Sequence, residues 1–214
     1  MESSNCTLYY SPGSASLVVH WMLIELDAPH TLALVDTAAG AQKRPDYLAL
    51  NPNGVVPTLV IDGVPHYEAA ALLVHLADAF PASALAPALA DPQRIDYTQW
   101  MFNLANMVQP LFRQWWYPHE PAGEALADTV RQHIQPRIEA QWHRIDDHLA
   151  AHGPHLLGDR LTAADFYLVM LMRWSRNMPK QAIEWPHLAA LAARLKARPS
   201  FATLYQREGL TEWA

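Results

Sequence analysis

The chain has 214 residues, 51% of them hydrophobic, and a formal net charge of -6 with an isoelectric point near 6.0. That is ample apolar material for a core in one or two domains, which excludes a disordered chain, and an acidic balance without any Lys/Arg-rich run provides no field for nucleic acid. A single cysteine, Cys6, excludes an intrachain disulfide and a cysteine-based zinc cluster. Residues 1–7 are polar and lack the pattern of a secretory leader, and no stretch approaches a membrane span, so a cytoplasmic location without membrane association is expected.

In chain order, β-branched and aromatic residues over 7–10 predict a strand that ends at the turn Ser11-Pro12-Gly13. Over 16–26 the residues Leu17, Val18, Trp21, Met22, Ile24 and Leu26 fall mostly on one helical face, and Asp27-Ala28-Pro29 stops the run. A second strand follows over 31–35, a short irregular helix over 41–48, and a third strand over 56–61 after the turn-forming Asn51-Pro52-Asn53-Gly54. Asp62-Gly63 predicts a tight hairpin, and the Ala/Leu-rich run over 68–80 a helix. The order β-α-β-α-β-β-α makes 1–80 an α/β unit. Prolines and small residues mark 81–91 as a linker. Beyond it apolar residues recur at helical spacing over 95–116, 125–152, 163–176 and 187–197, so 92–214 is expected to be an all-helical bundle. Within it Thr162 and Asp165 have the spacing of a capping box, flanked by a Leu161/Phe166 staple; both are assigned to folding, with Asp165 buried.

Four segments, in this order and spacing, resemble the cytosolic glutathione transferases over nearly the whole chain. Tyr9-Tyr10-Ser11-Pro12-Gly13-Ser14-Ala15-Ser16 is similar to the first strand and catalytic turn of bacterial beta-class and insect delta-class members. Asn51-Pro52-Asn53-Gly54-Val55-Val56-Pro57-Thr58-Leu59 resembles the NPxGxVPxL signature, Glu68-Ala69 stands where most members carry Glu-Ser, and Leu161-Thr162-Ala163-Ala164-Asp165 resembles the family's capping segment. The resemblance implies a thioredoxin-like N-terminal domain that binds glutathione, a helical domain carrying an electrophile pocket, and a homodimer. It also implies a beta-class-like protein with a delta-like serine turn.

Glutathione offers two carboxylates, an amine and a thiol, so its site must pair a backbone, receive carboxylates and steady a thiolate. By resemblance, a cis peptide at Val56-Pro57 turns the Val56 backbone outward to pair with the cysteinyl backbone. Glu68 and Ala69 open a helix whose N–H groups suit the γ-glutamyl carboxylate, with Glu68 holding the ligand amine; the missing hydroxyl at Ala69 removes one hydrogen bond. Lys43 is the candidate base for the glycyl carboxylate, against the alternative of a solvated loop charge. At the thiolate, Ala15 stands where beta-class members carry a reactive cysteine, which excludes a mixed disulfide there. Ser14, Ser16 and Tyr10 remain as donors, against the alternative that the serines merely cap the first helix and Tyr10 packs or orders the turn. Phe102, Met107, Arg113, Trp115, Trp116 and Tyr117 are candidates for the electrophile pocket, most of them also readable as bundle core or dimer contact.

The expected activity is addition of the glutathione thiolate to a small apolar electrophile, with glutathione as co-substrate. Two alternatives stand beside it: a non-catalytic glutathione-binding or scaffolding protein, and a glutathione-dependent isomerase. His143, His148, His152 and His155 are assigned to surface or packing and no metal is expected, since no HExxH accompanies them. The absence of GxSxG and CxxC argues against a serine hydrolase and a dithiol redox enzyme, leaving Cys6 as a small core residue.

Overall fold

The computed structural model describes residues 5–213. The first residues of the polar opening, read above as lacking a leader pattern, lie outside that range. The chain divides into two compact units, one running to Ala86 and joined by Lys196–Glu212, the other spanning Pro87–Leu195.

In the first unit, β1 (Cys6–Tyr10) runs parallel to β2 (Thr31–Leu34) and antiparallel to β3 (Thr58–Ile61), which pairs antiparallel with β4 (Val64–Tyr67). The sheet order is β2-β1-β3-β4. Asp62 and Gly63 both take positive φ, 49° and 82°, the two-residue turn that the Asp-Gly pair predicts. Alternation along β1 sets Cys6 and Leu8 into the core, with Leu8 paired to the equally buried Leu59, while Tyr9 turns the other way onto Tyr47. Burial pushes the Cys6 thiol above its ordinary pKa, so it stays a neutral core residue.

Helix α1 (Ser16–Glu25) packs on β1 and against α3 (Ala69–Ala79). The one-sided pattern expected of α1 is not what the structure shows, since every residue from Ser16 to Leu23 is buried. Its second covering is α10 (Pro199–Glu208), a helix that the sequence reading did not identify. Between β2 and β3 the expected irregular helix resolves into a 3-10 turn, Ala41–Lys43, and the one-turn α2 (Pro45–Leu48).

The second unit is helical. It contains α4 (Arg94–Asn103), a π-helical turn (Leu104–Val108) leading into α5 (Gln109–Trp116), α6 (His119–Ala122), α7 (Ala127–His152), α8 (Ala163–Arg173) and α9 (Pro186–Lys196). The capping box of α8 is formed: the Asp165 carboxylate accepts from the Thr162 N–H at 2.8 Å, the Thr162 hydroxyl at 3.1 Å and the Leu156 N–H at 2.9 Å. No helix among the described residues is long and apolar enough to cross a membrane.

Candidate functional site

Strand direction gathers the candidate residues at one sheet edge. With β1 and β2 parallel and β3 antiparallel to β1, the ends of β1, β2 and β4 and the start of β3 coincide; Tyr9 pairs with both Ala33 and Thr58, and Thr58 with Tyr67. The turn after Tyr10, the loop after Leu34, Val56-Pro57 and Glu68 all leave the sheet there. The carboxyl ends of parallel strands are where open α/β sheets receive ligands.

The peptide between Val56 and Pro57 is cis. Its approach is held by a short network: the Val55 carbonyl accepts from Tyr47 Oη and from Asn51 Nδ2, each at 2.8 Å, and Thr58 Oγ1 lies 2.9 Å from Tyr47 Oη. Since the Tyr47 proton goes to Val55, Thr58 donates to Tyr47; burial pushes the Tyr47 pKa up and keeps it a donor. Gly54 has φ 59°, and a Cβ there would stand 2.9 Å from the Gln42 carbonyl oxygen, so both conformation and space require glycine. Lys43, exposed, reaches this loop with Nζ 3.4 Å from the Asn53 carbonyl. The Val56 backbone N–H and C=O pair with nothing among the described residues.

Glu68 joins β4 to α3 with φ 74° and ψ 107°, a conformation that costs a non-glycine residue about 1–3 kcal/mol and that accumulates at functional sites. Its side chain is exposed and makes no cap. The first intrahelical bond runs from the Leu72 N–H to the Glu68 carbonyl at 3.0 Å, which leaves the preceding N–H groups of α3 open at its positive end. Ala69, the first residue of α3, is buried.

In the turn before α1 the expected serines are drawn inward. The Ser14 hydroxyl donates to the Ser11 carbonyl at 2.7 Å and accepts the Ser16 N–H at 3.3 Å. Ser16 is fully buried; its hydroxyl accepts the Ser11 N–H at 3.1 Å and lies within hydrogen-bond reach of Ser14 Oγ and the Ser11 carbonyl. The Tyr10 ring packs against His20, centroids 5.9 Å apart. Gly13, with φ 69°, donates its N–H to Glu208 Oε2 at 2.8 Å, while Glu208 Oε1 meets His20 Nδ1 at 2.9 Å; both side chains are inaccessible to solvent. His20, Glu208 and Tyr47 were not singled out from the sequence. The available signal for Glu208 was an acid in the last turn of a helix, where the dipole disfavours it.

The helical-unit candidates separate by exposure. Phe102 is 64% and Met107 49% exposed, the latter on the π-helical turn, whereas Trp115 is buried. Arg113 is bound by Glu120 and stacks over Tyr117 at 4.2 Å, and Trp116 donates its Nε1–H to the Trp174 carbonyl at 3.2 Å. His148 and His152 stack at 4.7 Å with ring nitrogens on the Leu156 and His148 carbonyls, and His143 lies 3.5 Å from Asp147.

Family models for the glutathione S-transferase N-terminal domain and C-terminal domain match residues 14–79 and 105–207. The chain is 33% identical over 210 residues to glutathione S-transferase GST-4.5 of Xanthomonas campestris pv. campestris, covering 95% of this chain and 98% of that protein. Among solved structures it is similar to a glutathione transferase homologue from Sulfitobacter with bound glutathione, 27% identical with a TM-score of 0.87, covering 97% of this chain and 99% of the other. It is also similar to the bacterial beta-class glutathione S-transferase of Sphingomonas chungbukensis, 27% identical with a TM-score of 0.84, covering 96% of this chain and all of the other. The two domain models, together with a relative 33% identical over 95% of this chain, place the chain in the glutathione S-transferase family.

Proposed function

We propose that this protein is a glutathione S-transferase enzyme that adds the glutathione thiolate to a small apolar electrophile. The observation that carries the reading is the unpaired Val56 backbone at the same sheet edge as the open N-terminus of α3. A cysteinyl backbone joins Val56 as an added strand, the γ-glutamyl carboxylate sits on the N–H groups that begin at Ala69, Glu68 takes the ligand amine, and Lys43 answers the glycyl carboxylate. The positive end of α1 favours the thiolate, while Ser14, Ser16 and Tyr10 hold the turn that aims it. Likeness to the Sphingomonas structure supports a beta-class-like assignment, modified by alanine at position 15. Phe102, Met107 and Tyr117 are exposed side chains among the pocket candidates of the helical unit, and the first two are offered to an apolar electrophile.

The same reading makes the protein a homodimer. β4 is an edge strand with Val64 54% and Tyr67 38% exposed, beside a groove of about 430 Å³ lined by Pro65, His66, Tyr67, Ala71, Leu72 and His75. Sedimentation at micromolar concentration returns twice the chain mass if this is right.

Retention on immobilised glutathione tests binding, and conjugation of an aryl halide tests turnover. A second reading, a glutathione-binding protein without turnover, is favoured by one observation: the serine hydroxyls of the turn point inward. Retention with no conjugation across a panel of aryl halides, epoxides and enones selects it; failure of retention removes both readings.

A further inference from the structure

Hydroxyl protons in the turn can be counted. Ser14 spends its proton on the Ser11 carbonyl, and Ser16, fully buried, has only the Ser11 carbonyl and Ser14 Oγ as acceptors. One further pair stands at the same edge. Ser11 Oγ and Thr37 Oγ1 are 3.0 Å apart, the first directly after β1 and the second in the loop after the parallel strand β2, both half-buried. A bond between two hydroxyls uses one proton and leaves the other. Among the described residues neither oxygen has any other partner, so the pair keeps one proton for solvent or ligand.

Register fixes where that proton stands. The antiparallel ladder that pairs Tyr9 with Thr58, continued toward the edge, sets Ser11 opposite Val56, and the chain leaves the sheet at this point. The strand position facing the unpaired Val56 backbone is therefore vacated beside Ser11. A cysteinyl residue that takes this position has its side chain within reach of the residues that bound it.

We propose that the Ser11–Thr37 hydroxyl pair donates the hydrogen bond that holds the glutathione sulfur as a thiolate; this rests on the binding reading above. Thr37 donates to Ser11 and Ser11 to sulfur, so the first bond polarises the second, or the order is reversed and Thr37 is the terminal donor. The thiol proton itself passes to solvent, and no bond to protein forms.

The test is a titration of the ultraviolet thiolate absorbance of glutathione bound to the full chain, in Ser11→Ala, Thr37→Val, Ser14→Ala and the unmodified protein. An unbound thiol titrates at about 8.5. Loss of the donor in Ser11→Ala raises the bound midpoint by about one pH unit and lowers kcat/KM for an aryl halide about tenfold at neutral pH, with glutathione still retained. Thr37→Val, in the loop after β2, raises the midpoint in the same direction. An unchanged midpoint in both variants, or a rise confined to Ser14→Ala, overturns the assignment while leaving the binding reading intact. If the unmodified protein binds no glutathione, that reading falls, and the donor assignment with it.

Discussion

Glu208 spends both carboxylate oxygens on groups far away in sequence, one on the Gly13 N–H and one on His20. Replacing it by alanine removes the acceptor that Oε2 offers the Gly13 N–H and leaves the buried His20 Nδ1 without its carboxylate, and an unsatisfied buried polar group costs about 1–3 kcal/mol. Glu208→Ala is therefore expected to lower the urea midpoint strongly, with Glu208→Gln intermediate because its carbonyl still accepts from Gly13; equal midpoints for all three proteins contradict the account. Next to this pair, His30 donates from Nδ1 to the Ala28 carbonyl at 2.7 Å and presents Nε2 to Arg207 Nη1 at 3.4 Å, an arrangement of the neutral ring. Burial above all, then the neighbouring His20 and Arg207, hold its pKa below the ordinary value. The folded state thus binds the proton less readily than the unfolded chain, so this contribution is complete above about pH 6.5 and is lost as pH falls below it. Between about pH 7.5 and about pH 5.5 the unmodified protein should lose more stability than His30→Gln; parallel losses would exclude His30 as the source. The cis peptide at Val56-Pro57 was legible because one contiguous segment carries both the residues and their turn. His20 and Glu208 were not, because their meaning lies in a pairing across 188 positions.

At the scale of elements, the start of α3 was read correctly from an Ala/Leu run, but the backbone of Glu68, at φ 74°, was not, since no residue-type preference demands it. The consequence for binding can be measured. Ala69 is the buried first residue of α3, at the end that carries the open N–H groups, and a hydroxyl there is expected to add one donor to the anion site. Ala69→Ser is expected to tighten glutathione by about 1 kcal/mol, a fivefold lower dissociation constant by calorimetry. An unchanged or weaker affinity would place the γ-glutamyl carboxylate elsewhere. Elsewhere periodicity was enough to find helices and not to subdivide them: the run over 95–116 is one apolar pattern, yet Leu104–Val108 winds as a π-helical turn. Such turns are set by tertiary packing and often mark functional sites. The capping box of α8 was fully legible because its two residues answer each other within one turn.

The whole molecule turns on where the end of the chain goes. α1 is buried at every position from Ser16 to Leu23, and a helix covered around its whole circumference needs neighbours on all sides. In the sequence that fact passed for a noisy one-sided pattern, because the second neighbour lies beyond the entire helical unit. It is α10, whose Phe201 packs on Trp21 with centroids 5.2 Å apart while the Trp21 indole donates to Ser200 Oγ at 2.9 Å. Arg198, just before α10, grips Glu25 at the far end of α1. Phe201, Leu204 and Tyr205 are all buried in this first unit, together worth roughly 6 kcal/mol of apolar burial, which matches the whole stability of many domains. A chain stopped after Ala197 should therefore lose the near-ultraviolet signal of Trp21 and its retention on glutathione together, although residues 5–86 and 87–195 are all present. Phe201→Ala in the full chain should keep both at low temperature and lose both at a lower melting temperature than the unmodified protein. Were the shortened chain to bind glutathione normally, the sheet and α1 would be self-sufficient, and the clamp of Glu208 on Gly13 would be dispensable as well, since the shortened chain lacks it.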